Sequence, residues 1–212
     1  YKRQEEDFAA DALTHAYTAV VDPIDGTMNF TRQMNLSVVS VALLRDGAPY
    51  IGVVCNPYTS ELFYAERGKG AFLNGKPIHV SSRPLREACY FTAWSLYKKE
   101  YAPPCFDIAR EVYADTGDIR RLGVCALELC YLAAGRGELY FEIRVFPWDF
   151  AAAEVILTEA GGYIGTLGGA RTRYDRPQPI LGANSRENFA YLCEKVKKYV
   201  PEVPYENGKE HL

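Results

Sequence analysis

The chain has 212 residues, 48% hydrophobic and 24% charged, so it can bury a sizeable core as one large domain or two small ones and is not a disordered polymer. Its 24 basic and 27 acidic residues are dispersed, and the net charge of -3 carries no basic block, so nucleic acid is not an expected partner. No run approaches the ~20 apolar residues of a membrane span, and the six cysteines form neither a C-x-x-C pair nor a zinc-like grouping with the three histidines. A soluble cytoplasmic protein with reduced thiols is expected.

In chain order, residues 16–21 are β-prone and lead into an Asp-Pro turn, and residues 36–44 read as a buried strand turned by Arg45-Asp46-Gly47. Strands follow at 51–55 and 61–66, with Gly68, Gly70 and Asn74-Gly75 marking tight connections. Short turns between successive strands predict an antiparallel sheet. After Pro84 the pattern alternates: strand 88–93, helix 106–116, strand 120–122, helix 125–134 stopped by Gly135, strand 139–142. Asp149 caps a helix to about residue 160, ended by Gly161-Gly162, and a strand at 180–183 precedes an amphipathic helix at 186–199.

Two short segments carry the chemistry. Asp22 and Asp25 stand on either side of Pro23 and Ile24, and the fixed φ of proline helps both acids face one point. Hard oxygen ligands of this kind suit Mg2+. Gly26-Thr27 follow, and a helix starting there would offer free N–H groups to a phosphate beside the metal. The alternative is that Asp-Pro and Asp-Gly are ordinary turn dipeptides. Asp149, in Trp148-Asp149-Phe150, is either a helix cap or a further ligand, and a carboxylate has oxygens enough for both.

Val21-Asp22-Pro23-Ile24-Asp25-Gly26-Thr27-Met28-Asn29-Phe30, together with Trp148-Asp149 and Glu159-Ala160-Gly161-Gly162, resembles the paired signatures of the inositol monophosphatase family. The segments 52–57, 61–63, 68–75 and 80–81 are similar to that family's central hairpins. The resemblance implies an α/β fold, a layered αβαβα sandwich of the sugar phosphatase type. Residues 1–82 would form an α+β domain on an antiparallel sheet, and residues 83–212 an α/β domain supplying Asp149 and substrate contacts. Because Tyr1 opens the chain close to the first motif, the amino-terminal part of the fold is expected to be absent.

The same resemblance implies Mg2+-dependent, lithium-sensitive hydrolysis of a sugar or polyol phosphate, with myo-inositol 1-phosphate foremost, by a homodimer. Fructose 1,6-bisphosphate, histidinol phosphate and 3'-phosphoadenosine 5'-phosphate are alternative substrates, and a catalytically idle regulatory protein of the same fold is the alternative of another class. The implied ligands are Glu5, Asp22, Asp25, Asp149 and the Ile24 carbonyl. Glu5 lies in Gln4-Glu5-Glu6, where the family has Gly-Glu-Glu. Thr27, Glu5 and Asp25 are the implied catalytic residues, Thr27 and Glu5 orienting the attacking water, while Gly26 and Thr27 receive the phosphate. Glu142, seven residues before Asp149, matches a glutamate that contacts substrate hydroxyls; its bland alternative is a solvated charge at a strand end. Arg144 is placed in the intervening loop, and the helix at 125–134 is read as core, with Glu128 where the family commonly has Asp or Asn.

Overall fold

The computed structural model describes residue 13 and residues 15–94 and 98–200. Six strands form the first sheet in sequence order: β1 (Tyr17–Asp25), β2 (Val38–Arg45), β3 (Ala48–Asn56), β4 (Glu61–Glu66), β5 (Ala71–Leu73) and β6 (Lys76–Ile78). Every neighbour is antiparallel. Two of the turns are set by residues that tolerate positive φ: Asp46 and Gly47 stand at 51° and 72°, Asn74 and Gly75 at 49° and 79°. Such pairs twist with the flanking strands and so close tight hairpins.

Alternation then divides the faces. Val38, Ser40, Ala42 and Leu44 of β2 are buried, while Val39 and Val41 between them are exposed. The buried side receives α4 (Pro147–Glu159), whose alanine row 151–153 is wholly buried. On the other side Val21 lies opposite Val41, Tyr17, Val39 and Leu62 are also exposed, and Tyr64 stacks on Phe72 with ring centroids 5.3 Å apart. Among the described residues this apolar face is open.

The second sheet has the order β10 (Tyr163–Gly165), β11 (Gln178–Ala183), β9 (Leu139–Val145), β7 (Cys89–Ala93) and β8 (Asp118–Arg120). Strand β7 is parallel to both β8 and β9, and β11 is antiparallel to β9 and β10. One face packs α2 (Ala102–Asp115) and α5 (Arg186–Tyr199), with Ile108, Val112, Leu192 and Val196 against Phe141, Ile143 and Leu181. The opposite face turns Tyr140 and Ile180 into a core shared with α3 (Cys125–Ala133), α4 and the first sheet. The described residues thus build four layers, sheet, helices, sheet, helices, of an α/β sandwich. None of the described helices is long and apolar enough to cross a membrane.

Several expected boundaries move, each for a local reason. Strand β1 does not stop at the Asp-Pro turn but continues to Asp25 through a register shift between Asp22 and Asp25, as a bulge allows. Helix α2 starts at Ala102 because Pro103 and Pro104 fit its first turn, whose amides have no helical partner. Strand β8 ends at Arg120, two residues before the expected limit, and β9 runs on to Val145, so Arg144 lies in a strand and not in a loop. Three-residue strands β5, β6 and β10 are too short for alternation to announce them.

Candidate metal and phosphate site

The bulge in β1 allows the chain to present Asp22 and Asp25 together. The Ile24 amide donates to Asp22 Oδ1 at 2.9 Å, an Asx-type turn that fixes the Asp22 carboxylate against its own backbone. Asp25, buried at the strand end, accepts the Ala126 amide on Oδ2 at 2.7 Å, a bond to the first turn of α3 spanning 101 residues. Gly26 then turns at φ 86°, with Val124 Cγ2 only 2.8 Å from where a Cβ would sit, so both handedness and space reserve this position for glycine.

Thr27 opens α1 (Thr27–Thr31), a single turn of five residues, and its hydroxyl donates to the Ile24 carbonyl at 3.0 Å. A carbonyl has two lone pairs, so this bond does not exhaust Ile24 as an acceptor. Asn29 of the same turn donates from Nδ2 to the Leu122 carbonyl at 2.8 Å, which ties α1 to the segment ahead of α3.

The third carboxylate arrives on α4. Asp149 is not the cap residue itself: it is the third helical residue, and its Oδ2 reaches back to accept the Phe146 amide at 2.7 Å. That carboxylate reaches back from inside the helix to the amide of the cap residue, as the third-position acid of a capping box does, and not to the first-turn amides an N-cap side chain would serve. Ser40, the register partner of Asp22, donates to the Trp148 carbonyl at 3.2 Å and so holds the start of α4 beside β1 and β2.

Oxygens of Asp22, Asp25 and Asp149 come together within 4.8 Å of one another. Burial first, then the charges of Asp149 and Asp22, push the Asp25 carboxyl well above the usual range, against the pull of the Ala126 amide. Asp149 is raised likewise, by burial and by the charges of Asp22 and Glu142, against the Phe146 amide. Three hard oxygen donors that repel one another at this range form the donor set of a divalent cation such as Mg2+ or Ca2+, which would remove the repulsion.

Glu142 stands in the middle of β9 opposite Ala93 of β7, on the face of the sheet that carries Tyr140, so it is not a solvated charge at a strand end. The Tyr140 hydroxyl donates to its Oε2 at 2.8 Å. Burial pushes its carboxyl up to about 7, opposed by that hydrogen bond and by the positive charge of Arg121. Arg144, two residues on, lays its guanidinium over the Phe146 ring at 4.7 Å from the centroid. Glu5 lies outside the described residues.

Ala126, Asn29 and Arg121 were not legible as site residues. Ala126 acts through its backbone amide, which leaves no mark in side-chain type, Asn29 acts through a side-chain amide whose partner is the distant Leu122 carbonyl, and only the end of β8 brings Arg121 toward Glu142.

A sequence model of the inositol monophosphatase family matches residues 3–200. The chain belongs to the inositol monophosphatase family. Among its relatives, "Nus factor SuhB" of Salmonella typhimurium strain LT2 is 39% identical over 175 residues, covering 82% of this chain and 65% of that protein. The chain therefore spans less than two thirds of that relative's length. "Inositol-1-monophosphatase" of Mesorhizobium japonicum is 34% identical over 179 residues, 84% of this chain and 67% of that one. Of solved structures, an IMPase from Thermotoga maritima superposes with a TM-score of 0.80 at 31% identity, covering 88% of this chain and 71% of its own.

Proposed function

We propose that this family member is a Mg2+-dependent phosphomonoesterase acting on a sugar or polyol phosphate, with myo-inositol 1-phosphate as the first substrate to test. The observation that carries the reading is the convergence of Asp22, Asp25 and Asp149. In this reading those three, the Ile24 carbonyl and Glu5 hold the metal, which when bound supplies charge neutralisation at the phosphate and a more acidic attacking water.

The chain's own groups do the rest. Thr27 Oγ1 spends its proton on Ile24, which leaves its lone pairs to accept a proton of the attacking water and aim it. The amides of Gly26 and Thr27 receive the phosphate, Asp25 with Thr27 and Glu5 makes up the catalytic group, and Glu142 accepts hydrogen bonds from substrate hydroxyls. In this division residues 1–82 bring the β1 motif, and residues 83–212 bring Asp149 and Glu142. Phosphate release from a panel of esters, titrated with Mg2+ and then with Li+, tests the reading. Full turnover in chelator would overturn it.

A second reading is favoured by the name of the Salmonella relative, a Nus factor: a regulatory role carried by the same fold. Absence of hydrolysis across the panel, with Mg2+ still bound, would select it.

Glu142→Gln is expected to weaken turnover of a polyol phosphate by about 1–3 kcal/mol of lost charge-assisted hydrogen bonding, while an aryl phosphate without hydroxyls is nearly unaffected. Equal losses on both substrates, or a shifted Mg2+ requirement, would remove Glu142 from the substrate-reading role.

Stability should depend on pH through the same carboxylates. Since Asp25 and Asp149 are raised in the folded chain, their contribution is present below the ordinary carboxyl range and is lost as pH rises through the folded values. Mg2+ binds the ionised forms. Its increase of the thermal midpoint should therefore be larger at pH 8 than at pH 5.5; an equal or reversed increase would count against these carboxylates as the metal site.

A further inference from the structure

Helix α3 carries, beside the connection from β8, a buried carboxyl group that the proposed chemistry does not use. Glu128, in the second turn of α3, is wholly buried among apolar neighbours, with Leu127, Leu129 and Leu132 equally inaccessible. Its Oε1 accepts the Leu122 amide at 2.8 Å and its Oε2 the Val124 amide at 3.4 Å. The Gly123 amide between them acts on the same carboxylate, and Gly123 has the left-handed φ of 73°. Successive amides turned inward around a left-handed residue make an anion-binding concavity. Here the group it receives is a carboxyl of the chain itself.

Such a carboxylate is costly: burial, with the charge of Glu142, pushes it up to about 8, and the three amides pull the other way. An apolar side chain would avoid that desolvation. What the carboxylate secures is the segment 122–126, which makes three contacts with the end of β1 and the turn that follows it. The Leu122 carbonyl accepts Asn29, the Val124 side chain fills the space beside Gly26, and the Ala126 amide donates to Asp25.

We propose that Glu128 is a positioning residue: by gathering the amides of 122–124 it fixes the segment that sets Asp25 and Thr27 at the distance the metal and phosphate require. The inference rests on the metal-site reading above. The role belongs to both carboxylate oxygens, because a glutamine of the same volume would present an NH2 group to one of the amides.

The test is Glu128→Gln in the full chain, read by calorimetric Mg2+ binding and by hydrogen exchange of the Ala126 amide. The variant is expected to fold, to bind Mg2+ about 10-fold more weakly, as loss of an outer-shell partner commonly produces, and to exchange Ala126 at least about 10-fold faster. In turnover, kcat should fall with KM for the ester unchanged, and Glu128→Asp, which keeps a carboxylate, should recover part of the metal affinity. A folded Glu128→Gln protein with wild-type Mg2+ affinity and wild-type Ala126 exchange overturns the proposal.

If Glu128→Gln does not fold, Gly123→Ala takes its place, since it strains the left-handed turn while leaving the carboxylate intact. The same weakening is expected, and unchanged Mg2+ affinity in that variant overturns the proposal equally. Failure of the wild-type chain to bind Mg2+ would instead overturn the metal reading, and Ala126 exchange would then decide the positioning role alone.

Discussion

Asp25→Asn is expected to lower phosphate release by at least about 100-fold, of the order that removal of one well-placed electrostatic partner costs, and at the same time to raise the thermal midpoint of the chelator-treated protein. The two effects have one cause. Asp25 is buried and faces Asp149 and Asp22, so its charge is unfavourable in the metal-free fold. Asparagine keeps an oxygen to accept the Ala126 amide, whose bond to Asp25 is 2.7 Å, and replaces the charge by a donor that its carboxylate neighbours can accept from. A gain of about 1–2 kcal/mol at pH 8 would appear as roughly 2–8 °C for a chain of this size. Mg2+ should then no longer raise the midpoint as it does for the wild type. A variant destabilised in chelator would make Asp25 a structural carboxylate, and one that keeps both its activity and its response to Mg2+ would sink the proposed metal site.

How far the sequence was legible depended on how local the cause was. Helix α5 agrees residue for residue because Ser185 caps it, accepting the Asn188 amide at 3.1 Å, and its apolar stripe is periodic. The Asp46-Gly47 and Asn74-Gly75 turns were readable because positive φ at both central positions selects those residues. Asp22 and Asp25 were readable as a pair, but the bulge that turns both to one place was not, since a register shift is a property of two strands. Asp149 was readable as a capping acid and misplaced by position: a cap residue and a residue reaching back from the helix have the same composition, and only the backbone path at Phe146 tells them apart. The bond from Ala126 to Asp25 left no signal, because any residue except proline carries an amide.

Close approach of backbones is equally silent in sequence, and Gly52 is where it should matter most. Gly52 lies on the face of β3 turned toward α4, where a Cβ would sit 2.1 Å from the Ala152 carbonyl oxygen and 2.9 Å from its carbon. Those atoms are backbone and cannot rotate aside, so Gly52→Ala must push helix and sheet apart. The helix so displaced carries Asp149 one turn before Ala152. Overpacking of this kind costs about 1–3 kcal/mol and sometimes more, and the upper end is expected because both partners are rigid. The shift should also weaken Mg2+ binding, since it separates Asp149 from the two carboxylates of β1. Gly68→Ala provides the contrast: nothing lies within 4 Å of its Cβ, so its positive φ alone should cost about 1–2 kcal/mol, with metal affinity unchanged. Denaturant midpoints and calorimetric Mg2+ titrations of the two variants separate the effects. If Gly52→Ala is as stable as the parent and binds Mg2+ as tightly, then helix α4 is free to move without carrying Asp149 out of place, and the dependence of the site on this contact is wrong.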